Sequence, residues 1–469
     1  MMRGSIALFA VLLLASGCAS VPRDAGVSDI RQAVSERTSQ TVEWAAQPST
    51  ADDPRIRALL QDELTADRAV AVAMANSPRL QATLAELGIA RADLLQASVV
   101  RNPLFEAELR FPRDPIRPFE LRLAQTLVDL IHLPRRRALG RAAFDTAKLR
   151  MTSEIVRFAA DVRSRQAELL AASQRVGLSR ITLEAAKASS ELVQRQHDAQ
   201  NITDLDLENE QAHYEQAKLE VAREEQRLVV AREALLRVMG LRDPSIEWHL
   251  PQAFPPLPPS EPDQEQLELL AAARRLDIDI ARREVEVSRL QVPMARLAAM
   301  GDITVDGHYQ RDASGTRTAG PGIEVPIPIF NTGAPARSRA EAEYLRARHT
   351  LNALLAESSS QLRAAGATIA EARARVVYYR DIIVPRRQRI VELTKLQQNA
   401  MLAGVFQLLQ AKQSEAQARR DFVDAQLDYW SARNDLERAM NGVATETMFT
   451  PATNQHSGQR STTSPEGGH

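Results

Sequence analysis

The chain has 469 residues, a quarter of them charged, with 59 Lys and Arg against 60 Asp and Glu. Balanced charge without a long basic run speaks against nucleic acid as a partner. Aromatics at 4% are too thin for an all-β core, and the abundance of Ala, Leu, Glu, Gln and Arg points to long helices.

The N-terminus reads as a secretory signal over residues 1–17. Arg3 is its basic region, Ile6–Leu14 its apolar run, and Ala15-Ser16-Gly17 leads to Cys18. Cys18 is the only cysteine, so a disulfide within the chain is excluded. The pattern resembles a bacterial lipoprotein signal, with cleavage before Cys18 and a lipid on its thiol. Ala19 in place of Asp resembles outer-membrane sorting. No other apolar run approaches the ~18 residues of a spanning helix, so any membrane crossing must use strands. Residues 18–63 are polar and read as an extended tail.

Residues 64–240 and 264–442 read as two copies of one unit. The first copy opens with a helix that Asn76-Ser77-Pro78 breaks and restarts. A strand pair follows. Phe105, Ala107, Leu109 and Phe111 alternate with Glu106, Glu108 and Arg110, and Phe119, Leu121 and Leu123 with Glu120 and Arg122. In the second copy Ile303–Gln310 alternates, and Ile323, Val325, Ile327 and Ile329 read as its partner strand, with Pro326 and Pro328 where the strand leaves its sheet. Pro134/Pro335, Gln216/Gln417, Leu235/Leu436 and Met239/Met440 all differ by 201, while Arg79/Arg275 differs by 196, which assigns about five extra residues to the second hairpin.

Long helices follow, Arg135–Gln200 and Pro335 to about Leu402. Ile155, Val162, Leu169, Val176 and Leu183 are spaced by seven, as are Leu355, Leu362, Ile369, Val376, Ile383 and Ile390. Sevens predict a coiled-coil seam. The two seams lie 200 apart rather than 201, and Pro385 predicts a kink. Asn201 and Gly404 suit left-handed helix caps. Shorter helices return over Asp204–Met239 and Phe406–Met440. The seven prolines of residues 241–263 make an extended linker, and residues 443–469 have the composition of a disordered tail.

Four amphipathic strands cannot close a barrel, which needs about eight. Either the chain's own helices cover the sheet, or several chains close it together. No catalytic or metal motif occurs, and no cofactor is implied.

The duplication, Val325-Pro326-Ile327-Pro328-Ile329-Phe330-Asn331-Thr332-Gly333, Leu64-Thr65 with Asn76-Ser77-Pro78-Arg79-Leu80, and the ends Met239-Gly240 and Met440-Asn441-Gly442 resemble the TolC-type outer-membrane efflux proteins over about residues 64–442. The resemblance implies a mainly α fold with a small β part: tandem long helical hairpins and two β-hairpins, assembled as a trimeric β-barrel continued by an α-helical barrel. It implies a homotrimer in the outer membrane, a periplasmic adaptor (membrane fusion) protein and an inner-membrane efflux pump as partners, and a passive exit duct for drugs or heavy-metal cations. The proline-flanked junction resembles the heavy-metal branch. Aspartates at the periplasmic entrance of such proteins correspond here to Asp206, with Asp204 beside it, whereas the second copy has Gln407 and Gln410. The alternative for the aspartates is Asp204 as an N-cap and Asp206 as a first-turn dipole partner. The alternative for the whole chain is a coiled-coil adaptor or scaffold lipoprotein without a pore.

Overall fold

A computed structural model describes residues 26–42, 54–111, 117–243, 246–298, 301–327, 329–330 and 332–443. The signal segment, Cys18 and the C-terminal tail beyond Val443 lie outside the described residues.

Ahead of the first repeat stand α1 (Val27–Thr38) and α2 (Pro54–Gln61), and the repeat itself opens with α3 (Ala66–Asn76) and α4 (Pro78–Ser98). The segment ahead of residue 64 is therefore helical in two stretches, not extended. Ile30, Val34, Ile56 and Leu60 are buried in the largest apolar cluster, which offsets the cost of ordering them. Strands β1 (Leu104–Leu109) and β2 (Phe119–Thr126) lead to α5 (Val128–Asp198) and the returning α6 (Asp204–Met239). The second repeat runs α7 (Gln264–Arg274), α8 (Leu276–Ala298), β3 (Thr304–Arg311), β4 (Arg317–Glu324) and α9 (Ala334–Tyr378). A π-turn (Tyr379–Ile383), α10 (Val384–Asn399) and α11 (Val405–Asn441) complete it.

The four strands form one antiparallel sheet in the order β1-β2-β3-β4, with the repeats joined at β2–β3. Two sequence readings change here. The partner strand of the second hairpin is Arg317–Glu324, and the chain leaves the sheet before Pro326. Pro321 is accommodated because β4 is an edge strand. The extra residues of the second repeat also lie elsewhere. The hairpin loop is shorter, and the addition falls in the junction between β4 and α9. In the first repeat β2 passes into α5 through Leu127 alone, and Pro134 lies inside the helix. In the second, the prolines delay the helix until Ala334, with Pro335 in its first turn. Pro134 and Pro335 are not structural equivalents.

At 71 residues α5 spans roughly 105 Å. Ile155, Val162, Leu169 and Val176 along it are each at most 4% exposed. Leu362, Ile369 and Val376 are their counterparts, whereas Leu355 and Ile390 at the ends of the second run are exposed. The reason at the far end is the π-turn, in which Val384 N–H donates to the Tyr379 carbonyl. Pro385 lacks an N–H and its ring would strike the carbonyl four residues back, and a wider turn relieves both. A π-turn holds one residue more than an α-turn. It moves burial from Ile390 to Val391 and restores the offset from 200 to 201 beyond it. The predicted kink site is thus a change of helical register.

The residues that broke each helix early meet the residues that end each repeat. Asn76 Nδ2 donates to the Met239 carbonyl at 3.1 Å, and a Cβ on Gly240 would stand 2.7 Å from the Asn76 carbonyl oxygen. Gly240, at φ 75°, ends α6 in a Schellman turn. Gly442, at φ 63°, ends α11 in the same way, with its α-carbon against Asp277.

The linker is extended but not slack. Trp248 joins the first core and Phe254 a smaller one between the repeats. Glu261 accepts from Arg373 at 3.1 Å, Arg433 at 3.1 Å and the Tyr429 hydroxyl at 2.6 Å. Burial, with the Glu261 contact, pushes the Tyr429 hydroxyl up to about 12.

Candidate conduction path

The register sorts the sheet into two faces. Even-numbered residues place Glu106, Glu108, Glu120, Arg122, Asp306, His308 and Glu324 on one side. Odd-numbered residues place Phe105, Leu109, Phe119, Leu121, Leu123, Val305, Tyr309 and Ile323 on the other. Arg122 is the centre of the polar face. It reaches Asp306 at 3.1 Å, Glu324 at 3.3 Å and Glu106 at 3.9 Å, so one guanidinium ties all four strands together. Sequence alternation identified the faces, but only the cross-strand register brings these residues together.

Below the sheet, Arg101 bridges the repeats. It donates to Asp129 at 2.5 Å and to Asp302 at 3.1 Å. The Arg101 guanidinium holds the buried Asp129 carboxyl below the usual carboxylate range.

At the far end each long helix closes in a Schellman turn. Asn201 N–H donates to Gln196 and Gln200 N–H to His197, while Leu402 N–H donates to Gln397 and Met401 N–H to Gln398. The left-handed residues are Gln200 (φ 60°) and Met401 (φ 58°), not Asn201 and Gly404. Gly404 instead is the extended N-cap of α11. The two backbone bonds at each turn offset a left-handed cost of about 1–2 kcal/mol.

The N-cap of α6 is Thr203, one residue ahead of Asp204. Thr203 Oγ1 accepts from Asp206 N–H at 3.2 Å, and Thr203 N–H donates back to Asp206 Oδ2 at 3.4 Å, a capping box. Asp204 sits in the first turn, with its side chain 95% exposed and Oδ1 2.7 Å from His197 Nε2. Gln407 and Gln410 are exposed and make no side-chain hydrogen bond among the described residues. The two turns lie toward one end. Glu210, one helical turn beyond Asp206, and Leu409, between the two glutamines, line the same groove of about 270 Å³ between α5, α6 and α11. Glu210 is buried, which its place in a helix full of carboxylates did not signal. Cys18 lies outside the described residues.

Among the described residues no cluster of metal-ligating side chains occurs, and no helix is long and apolar enough to cross a membrane.

Residues 269–442 match the outer membrane efflux protein family. The cobalt-zinc-cadmium resistance protein CzcC of Cupriavidus metallidurans is 25% identical over 395 residues, covering 80% of this chain and 90% of that protein. The Campylobacter jejuni CmeC outer membrane channel shares the fold at a TM-score of 0.68 and 15% identity, over 87% of this chain and 92% of that one. The outer membrane protein VceC of Vibrio cholerae does so at 0.65 and 18%, over 85% and 100%. With the duplicated helix–hairpin architecture, these matches make the second repeat similar to the outer membrane efflux protein family and give the whole chain the fold of the solved outer-membrane channels.

Proposed function

We propose that three copies of this chain form the outer-membrane duct of a tripartite efflux system. The observation that carries the reading is the sheet. It has one apolar and one charged face, two unpaired edges, and a strand, β2, that passes through one residue into a helix of roughly 100 Å. Pairing β1 of one copy with β4 of the next removes the edges, and three four-stranded sheets give a twelve-stranded barrel. The apolar face then meets lipid and the charged face lines the lumen. The long helices carry the wall through the periplasm to an adaptor and an inner-membrane pump. The duct itself is passive.

Cys18 carries the lipid that anchors the N-terminus. The relative named for cobalt, zinc and cadmium resistance favours divalent cations over drugs as cargo. Asp204 and Asp206, with Gln407 and Gln410, stand at the periplasmic entrance, where three-fold symmetry turns each residue into a ring.

Reconstitution in planar bilayers tests the duct. Purified protein should give discrete single-channel conductance, and assembled protein without conductance would leave a scaffold lipoprotein as the better reading. Asp204→Asn with Asp206→Asn should lower cation selectivity. Unchanged selectivity with a capping-sized loss of ~1 kcal/mol in stability would assign the pair to the helix start alone. Cys18→Ser should abolish acyl labelling.

A further inference from the structure

The apolar face of the sheet ends in arginines. Arg311 on β3 and Arg317 on β4 are direct register partners at the loop end. Arg117, just ahead of β2, lies on the same face, with its guanidinium 5.6 Å from the Phe111 ring centre. Arg311 is level with Phe119 on its β2 side and Arg317 on its β4 side, and Arg117 stands one same-face position beyond Phe119, so the three arginines make a staggered row at this end of the sheet. Phe119 stands level with Arg311, and Tyr309 lies one same-face position further in, with the ring centres 5.7 Å apart and the aliphatic band beyond.

The row is electrostatically unbalanced. The strand carboxylates all lie on the opposite face, where Arg122 gathers three of them. Among the described residues no carboxylate is within ion-pair distance of Arg117, Arg311 or Arg317, and Arg311 Nε is shielded from solvent without a hydrogen-bond acceptor. Asp312, the acid nearest in sequence, is turned into its own loop. It accepts from Ser314 Oγ at 2.6 Å and from Thr316 N–H at 2.9 Å. Like charges directly opposite on a sheet destabilise it, and the Arg311–Arg317 pair has that arrangement.

We propose that the Arg117–Arg311–Arg317 row binds the phosphate groups of an anionic outer-leaflet lipid. The inference rests on the membrane reading above. An arginine on a lipid-facing strand is tolerated only near the headgroups, where its long stem covers apolar surface and its head reaches out. The helices fix the opposite end of the sheet in the periplasm, so the row is at the outer rim. The planar guanidinium fork matches phosphate oxygens in pairs. A phosphate between Arg311 and Arg317 would relieve their repulsion and supply the acceptor that Arg311 Nε lacks. Phe119 beside the arginines and Tyr309 just beneath them sit at the depth where a headgroup joins its acyl chains.

Full-length protein extracted in detergent is incubated with a bis-phosphorylated glucosamine-disaccharide lipid or with the same lipid lacking phosphates, then washed and examined by native mass spectrometry. Wild type should retain the phosphorylated lipid and not the phosphate-free one. Arg117→Gln, Arg311→Gln and Arg317→Gln combined should lower retention by about tenfold or more. The corresponding triple Lys variant, which keeps the charge, should recover part of it and controls for folding. Equal retention of the two lipids, or no difference between wild type and the Gln variant, overturns the proposal. So does displacement by inorganic phosphate at equal concentration, which would mark a soluble-anion site. Conductance from the same preparation separates the two levels. Conductance without phosphate-dependent retention sinks the lipid site alone, and absence of conductance sinks the duct reading beneath it.

Discussion

The two repeats use one backbone plan and hold it by different means. Both long helices end in Schellman turns with a left-handed non-glycine residue, Gln200 or Met401. Both return helices end in a Schellman turn on glycine. Yet the first tip is clamped by side chains, through the Thr203–Asp206 box and the His197–Asp204 pair. The second has Gly404 as a cap without a side-chain bond, and Met401 and Leu402 are almost wholly exposed. The first long helix is unbroken, and the second changes register at the π-turn. The lesson is that backbone hydrogen bonds suffice to define the turns. Side chains decide how firmly each is held, and that makes the second tip the softer of the two.

Substitutions can break this comparison. The largest effect is expected from Val376→Asp. Val376 is 2% exposed in the core of the second repeat, with Ile369, Tyr429 and Leu436. An unpaired buried charge costs several kcal/mol, so heat-resistant assembled protein should fall sharply on gels. A wild-type yield would mean that this core does not hold the repeat together. Glu261→Gln should cost roughly 2 kcal/mol, because Arg373 and Arg433 lose a shared, largely buried carboxylate. Urea unfolding measures it, and early proteolysis of the linker should accompany it.

Pro385→Ala should let the π-turn relax to an α-turn, a change of about 1 kcal/mol. Thiol labelling of single cysteines at positions 390 and 391 reads the register. Position 391 should be protected in wild type and position 390 in the Pro385→Ala background. The smallest effects test the tips. Thr203→Ala should destabilise by about 1 kcal/mol or less, with hydrogen exchange rising in the first turn of α6. Met401→Gly should stabilise by up to ~1 kcal/mol by removing the left-handed cost. If Thr203→Ala leaves exchange at the first tip as slow as before, the asymmetry between tips does not come from the capping box.

Much of the plan was legible because it is local or periodic. Strand alternation, the heptad spacing from Ile155 to Val176, the return helix beginning at Asp204 and the duplication follow from side-chain direction and chain punctuation. Register across elements was not legible. The segment ahead of residue 64 has few apolar residues, and its helices form because Ile30, Val34, Ile56 and Leu60 find a partner surface supplied by distant sequence. The sequence puts Asp204 at the start of the return helix but not beside His197, a pairing that needs the turn geometry itself.

The sequence by itself determined the repeat, the element types, and which strand residues share a face, since those depend on periods of two and 3.6. The tertiary structure decided that Pro385 is absorbed by a π-turn, that Arg122 gathers carboxylates from three other strands, and that Glu261 fastens the linker to two helices. Each joins groups far apart in the chain or chooses between packings of similar local cost. Only the positions of the neighbouring elements discriminate there, because local propensities are worth less than the contacts those neighbours supply.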